Sequence, residues 1–161
     1  VYGWTTNGVL TKSRHVYREA AVVHRVFKQF SDRYNAPEVE RRIGFIDAFG
    51  STPTGEGLRF AAERLAARPE RRKVLWFFTD GMPEMATNGN NAAVHYRFIE
   101  TMLRRCDAVG IEVVGVGLGA DLSRFFQRFL FIEHVEDLQR EAGDTLLSIL
   151  RAGRLPGLRS A

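Results

Sequence analysis

Two kinds of apolar spacing alternate along this chain. The first is the short β-branched or aromatic run. Val1 to Thr6 reads Val-Tyr-Gly-Trp-Thr-Thr, a strand signature closed by the turn pair Asn7-Gly8. Arg14 to Arg18 predicts a second short strand whose charged ends suit a sheet edge. The second kind is the helical stripe. Val22, Val23, Val26, Phe27 and Phe30 share one helical face, so Ala21 to Phe30 is expected to be a helix. Asp32 to Arg42 is polar and contains Pro37, which predicts a loop leading into a short helix near Ile43 to Phe49.

From Gly50 onward the pattern becomes regular. Thr52 reads as an N-cap with Pro53 at the first helical position. Leu58, Ala61, Ala62 and Leu65 then form a stripe at i, i+3, i+4 and i+7, and Pro69 closes the helix. Lys73 to Thr79 is nearly all apolar, the signature of a strand buried on both faces in a parallel sheet, and it stops at Asp80-Gly81. Met82 to Asn91 reads as a turn-rich loop. Ala92 to Val109 predicts a helix with Ile99, Met102, Leu103 and Cys106 inward, ended by Gly110. Ile111 to Val116 is the next strand, and Gly117-Leu118-Gly119 follows it. Asp121 to Phe126 predicts a short capped helix, Phe129 to Val135 a last strand and Glu136 to Arg151 a last helix. Ala152 to Ala161 reads as a small, basic tail. Helices alternating with strands predict a parallel sheet covered by helices, which takes ligands at the carboxyl ends of its strands.

Composition narrows the field of functions. The 161 residues are 45% hydrophobic and 26% charged, values of a globular domain rather than a disordered tail. No apolar run approaches the ~20 residues of a membrane helix. No signal peptide is visible, and one cysteine, Cys106, cannot form an internal disulfide, so a cytoplasmic setting is expected. The net charge is +4, carried almost wholly by arginine, since the only lysines are Lys12, Lys28 and Lys73. Arginines alternate with acids, as in Arg59, Glu63, Arg64, Arg68 and Glu70, which fits a solvated helix face better than a nucleic-acid surface.

Three stretches could carry chemistry. Gly50 to Glu56 resembles a phosphate-binding loop, but Glu56 stands where lysine belongs, and a carboxylate repels phosphate. Gly115-Val-Gly-Leu-Gly119 follows a strand and matches part of a dinucleotide turn, which keeps a nucleotide-dependent α/β enzyme as an alternative. Asp80 ends a strand where such folds place ligands; it could also be a plain turn residue before glycine. A hydroxyl at Thr52 and a carboxylate at Asp80 are oxygen donors, which suit Mg²⁺ rather than Zn²⁺. His15, His24, His95 and His134 show no metal-ligand spacing, and His24 and His95 are expected on helices. Cys106 lies on an apolar helix face and reads as a buried, inert thiol.

Gly50-Ser-Thr-Pro-Thr-Gly-Glu-Gly-Leu58, Val74-Leu-Trp-Phe-Phe-Thr-Asp-Gly81 and Ile111-Glu-Val-Val-Gly-Val-Gly117 together resemble the von Willebrand factor A (vWA) domain. Glu56 to Lys73, Asp80-Gly-Met-Pro83, Gly117 to Phe126 and Gly3-Trp4-Thr5-Thr6 are similar to the vWA module of the cobaltochelatase CobT-type subunit. The resemblance implies a three-layer, Rossmann-like fold: a mostly parallel sheet with helices on both faces. The domain would span residues 1–152, with 153–161 as tail.

The family's metal-ion-dependent adhesion site has three parts. Two map to Thr52 and Asp80. The third, Asp-x-Ser-x-Ser on a central first strand, has no match in these residues. Mg²⁺ is therefore expected only where a longer protein supplies that motif. Without that strand the sheet would hold a gap, or its neighbours would pair directly. The resemblance further implies a non-catalytic, protein-binding role beside an AAA+ ATPase subunit and a large chelatase subunit. That assembly inserts cobalt into a corrin ring in cobalamin synthesis. A vWA module serving another AAA+ ATPase is the alternative within the class.

Overall fold

The computed structural model describes residues 2–7, 11–12, 17–18, 21–46, 54–81 and 92–151. They belong to two compact units, one of Val1–Ala61 with Pro83–Arg97 and the other of Ala62–Met82 with Phe98–Ala161. The predicted turn at Gly8, the cap at Thr52 and Pro53, the Met82 to Asn91 loop and the tail from Ala152 fall wholly or partly outside the described residues.

In the first unit, strand β1 (Tyr2–Asn7) pairs antiparallel with β4 (Ala21–Val26), in register from Tyr2 opposite Val26 to Asn7 opposite Ala21. The helix expected over Ala21 to Phe30 is therefore a strand through Val26. Three of its six residues are valine, whose branched side chains favour a pleated backbone over a helix. Two-residue strands β2 (Thr11–Lys12) and β3 (Tyr17–Arg18) form a second antiparallel pair, so the short strand expected near Arg14 is present at its far end.

Helix α1 (Pro37–Gly44) begins inside the expected loop. Pro37 starts the helix rather than breaking it, because the first turn needs no N–H from that residue. Glu38 and Glu40 occupy the first turn and Arg41 and Arg42 the last, which matches the helix dipole. Val39 is its one buried residue, and Arg42 holds Asp32 at 2.7 Å. Helix α2 (Thr54–Ala66) follows, with Leu58 and Ala61 buried in this unit.

The second unit is built on a parallel sheet of order β5-β6-β7, formed by β5 (Lys73–Thr79), β6 (Ile111–Leu118) and β7 (Phe129–Ile132). Lys73 lies opposite Ile111 and Thr79 opposite Gly117; Gly115 to Leu118 also pair with Phe129 to Ile132. Helix α3 (Ala92–Ala108), which belongs to this unit from Phe98 on, precedes β6, and Gly110 reverses the chain between them at φ +75°. A 3₁₀ turn (Val135–Asp137) leads into helix α4 (Leu138–Arg151).

Ala62, Cys106 and Ile111 form a buried cluster, with Leu65, Leu75 and Val113 packed against it. The stripes expected on α2 and α3 are thus the faces that bury. β5 is not buried on both faces as expected: only Phe77 is buried, stacked on Phe126 at 5.5 Å, while its other residues are partly buried and Phe78 on the opposite pleat is 46% exposed. The predicted helix at Asp121 to Phe126 is a single turn, in which the Phe125 and Phe126 N–H groups donate to the Leu122 carbonyl.

The architecture is mixed α/β with a parallel sheet, as the Rossmann-like reading requires. Among the described residues β1 pairs with β4 in the first unit and β5 with β6 in the second.

Candidate functional site

Parallel pairing puts the carboxyl ends of β5 and β6 at one end of the sheet, because Thr79 and Gly117 are register partners. Asp80 follows directly and is exposed, so its carboxylate stands at the end where such sheets receive ligands. Its turn is fixed by the residue before it. The Thr79 hydroxyl donates to the Gly81 carbonyl at 3.0 Å, and the Gly81 N–H donates back to the Thr79 oxygen at 3.3 Å. Sequence reasoning missed Thr79. A threonine one residue before Asp-Gly is its signal, since a hydroxyl can bond the backbone two residues on.

Thr52 lies outside the described residues, so the structure places only one of the two expected metal ligands. Thr54, two residues on, is fully buried in the first unit, and Glu56 beside it is nearly so. Among the described residues no group of three or more His, Cys, Asp or Glu side chains could hold a metal. Mg²⁺ requires near-octahedral oxygen coordination. Asp80 alone supplies one such oxygen group, so the described residues do not by themselves fit the ion.

The glycines at the end of β6 and just after it are accounted for by packing. A Cβ on Gly117 would fall 1.9 Å from the Ala120 carbonyl oxygen. One on Gly115 would fall 2.7 Å from the Phe126 ring. Gly119 has φ +69°, a conformation that glycine adopts without strain. Leu122, Phe125 and Phe126 are buried in the 120–126 turn that packs on these glycines, and the Ser123 N–H donates to Asp121 at 2.8 Å. That bond holds the Asp121 carboxyl below its usual range. The backbone approach that a dinucleotide would need at Gly117 is taken by the chain's own Ala120.

The other titratable candidates serve the interior. Cys106 is 1% exposed, and burial pushes its thiol up, away from the reactive thiolate. His95 sits on α3 as expected and is 3% exposed. His24 lies on β4 rather than on a helix, its ring stacked on Phe60 at 4.1 Å and 7°. Burial holds its imidazole below the usual histidine range, opposed by the nearby Glu56 and aided by Arg59.

No helix among the described residues is long and apolar enough to cross a membrane. What remains is a Rossmann-like sheet whose glycine turn is filled from within and whose ligand end presents an acid on a hydroxyl-tied turn. The family model described as the cobalamin biosynthesis protein CobT VWA domain matches residues 5–151, and the chain belongs to that family.

Proposed function

We propose that this chain is a non-catalytic protein-interaction module of a cobaltochelatase-like complex. Its role is to assist ATP-driven cobalt insertion into a corrin ring, with an AAA+ ATPase subunit and a large chelatase subunit as partners. Cobalt in this reading is cargo rather than a resident cofactor, and the working setting is the cytoplasm. Family membership over residues 5–151 is the observation that carries the proposal.

Two features of the second unit support an interaction role over a catalytic one. The glycine turn is packed shut, and the acid at the ligand end stands exposed with a fixed backbone rather than inside a water-excluding cavity. An exposed acid on a rigid strand end suits contact with another surface. Asp80 contributes its carboxylate at that end; by family resemblance Thr52 is the second residue of the interaction. Mg²⁺ enters only where a longer protein adds the Asp-x-Ser-x-Ser oxygens. The interaction proposal does not depend on the ion.

The test uses the complete protein with the ATPase and large subunits. Binding is measured by analytical ultracentrifugation with Mg²⁺ and with a chelator, for the wild type and for Asp80→Ala and Thr52→Ala. Loss of partner binding in both variants supports adhesion through Asp80 and Thr52, and loss on chelation as well assigns the metal. Unchanged binding in both variants removes Asp80 and Thr52 from the interface. Turnover by the isolated chain would overturn the non-catalytic reading.

A further inference from the structure

The amino end of the same sheet carries a second feature, unrelated to Asp80. A cleft of about 310 Å³ opens there, between the second half of α3, the start of β6 and the turn before β7. It lies six residues back along β6 from Gly117, roughly 20 Å at ~3.3 Å per residue. Its apolar lining comes from Leu103, Ile111, Val113, Phe125 and Phe126. Its polar lining comes from Glu100, Arg104 and Asp107 on α3 and from Gln127 and Arg128 before β7.

We propose that this cleft receives one apolar side chain of a partner protein, flanked in the partner's sequence by charges of both signs. Size sets the first limit. Ligand pockets run from about 300 to 1,000 Å³, so this one stands at the small end and suits a single anchoring side chain. Charge sets the second. The lining holds two arginines and two carboxylates, so it offers no net attraction to a phosphate, a nucleic acid, an anionic membrane or a free cation. Glu100 and Arg104 lie one helical turn apart, so both signs occur on one wall within reach of one guest. A peptide segment with an apolar centre and a cation and an anion beside it complements that arrangement. An apolar pocket inside a charged rim is also the usual form of an anchoring site at a protein interface.

The experiment titrates the 161-residue chain with acetyl-Lys-Phe-Glu-amide and follows backbone amide shifts by nuclear magnetic resonance. The expected result is a set of saturable shifts at Leu103, Ile111, Val113 and Gln127. Acetyl-Lys-Gly-Glu-amide should leave those residues unmoved. Glu100→Lys and Arg104→Glu should each weaken the peptide by about two- to five-fold, the range of a rim charge pair. Both are rim positions on a helix, and Leu103→Trp, which fills the cleft, gives an independent block. The proposal is overturned if the shifts fall elsewhere or if the glycine peptide shifts the same residues. It is equally overturned if phosphate or phenylacetate binds the cleft more tightly than the peptide. None of these readouts depends on Mg²⁺ or on Asp80.

Discussion

Replacing Gly117 by alanine tests whether the turn after β6 is held by close packing. The added Cβ would sit 1.9 Å from the Ala120 carbonyl oxygen, 3.0 Å from its carbon and 3.2 Å from the Leu122 side chain. The nearest obstacle is backbone, so no rotamer change relieves it. The turn would have to lift, and the Gly119 N–H bond to the Ile132 carbonyl, now 2.8 Å, would stretch with it. Overpacking a buried site costs about 1–3 kcal/mol, and a lost hydrogen bond adds about 1 kcal/mol. We therefore expect a loss of about 3 kcal/mol, against a total of ~5–15 kcal/mol for a typical domain. That corresponds to a fall in Tm of roughly 6–12 °C for a chain of this size. Urea unfolding followed by circular dichroism reads the loss directly. Gly119→Ala is the control: its Cβ meets nothing within 4 Å, so it carries only the positive-φ strain of about 1–2 kcal/mol. A Gly117→Ala loss below about 1 kcal/mol, or one smaller than that of Gly119→Ala, would refute the packing argument.

Leu122 is fully buried, so Leu122→Ala should cost about 2–5 kcal/mol by urea unfolding, while Leu147→Ala, at a half-exposed position, should cost far less. Burial holds His24 below its unfolded value of 6.5, so the unfolded chain binds the proton first. Stability should then be fully present above pH 6.5 and fall as pH drops through the window below it. His24→Phe should flatten that slope, and an unchanged slope would remove His24 as its source. Cys106 should react slowly with a thiol reagent in the native chain and fast in urea; equal rates would contradict its burial.

The elements legible in the sequence were those whose partners are close in sequence or whose pattern admits one period. α2 and α3 carry full helical stripes, and β5 is too continuously apolar and too short for another reading. β4 was ambiguous because positions 22, 23, 26 and 27 satisfy a helical face. Its strand state depends on β1, some twenty residues away, and only the valines pointed to it. Pro37 misled because proline marks both the end of one element and the start of another. Asp80 was legible as the residue that ends an apolar strand. The cleft was not, because its walls come from three separate segments and no local pattern joins them.

β6 is paired on both sides over Gly115 to Gly117, yet it holds two glycines, residues that strands ordinarily avoid. Its persistence therefore depends on what lies over it. The 120–126 turn fills the space above both glycines, so those amides cannot reach solvent until the turn leaves as a unit. In the language of hydrogen exchange, the central strand and the turn form one cooperative opening event. Substitutions that loosen Phe126 or Leu122 should then set the exchange clock of a strand they are not part of.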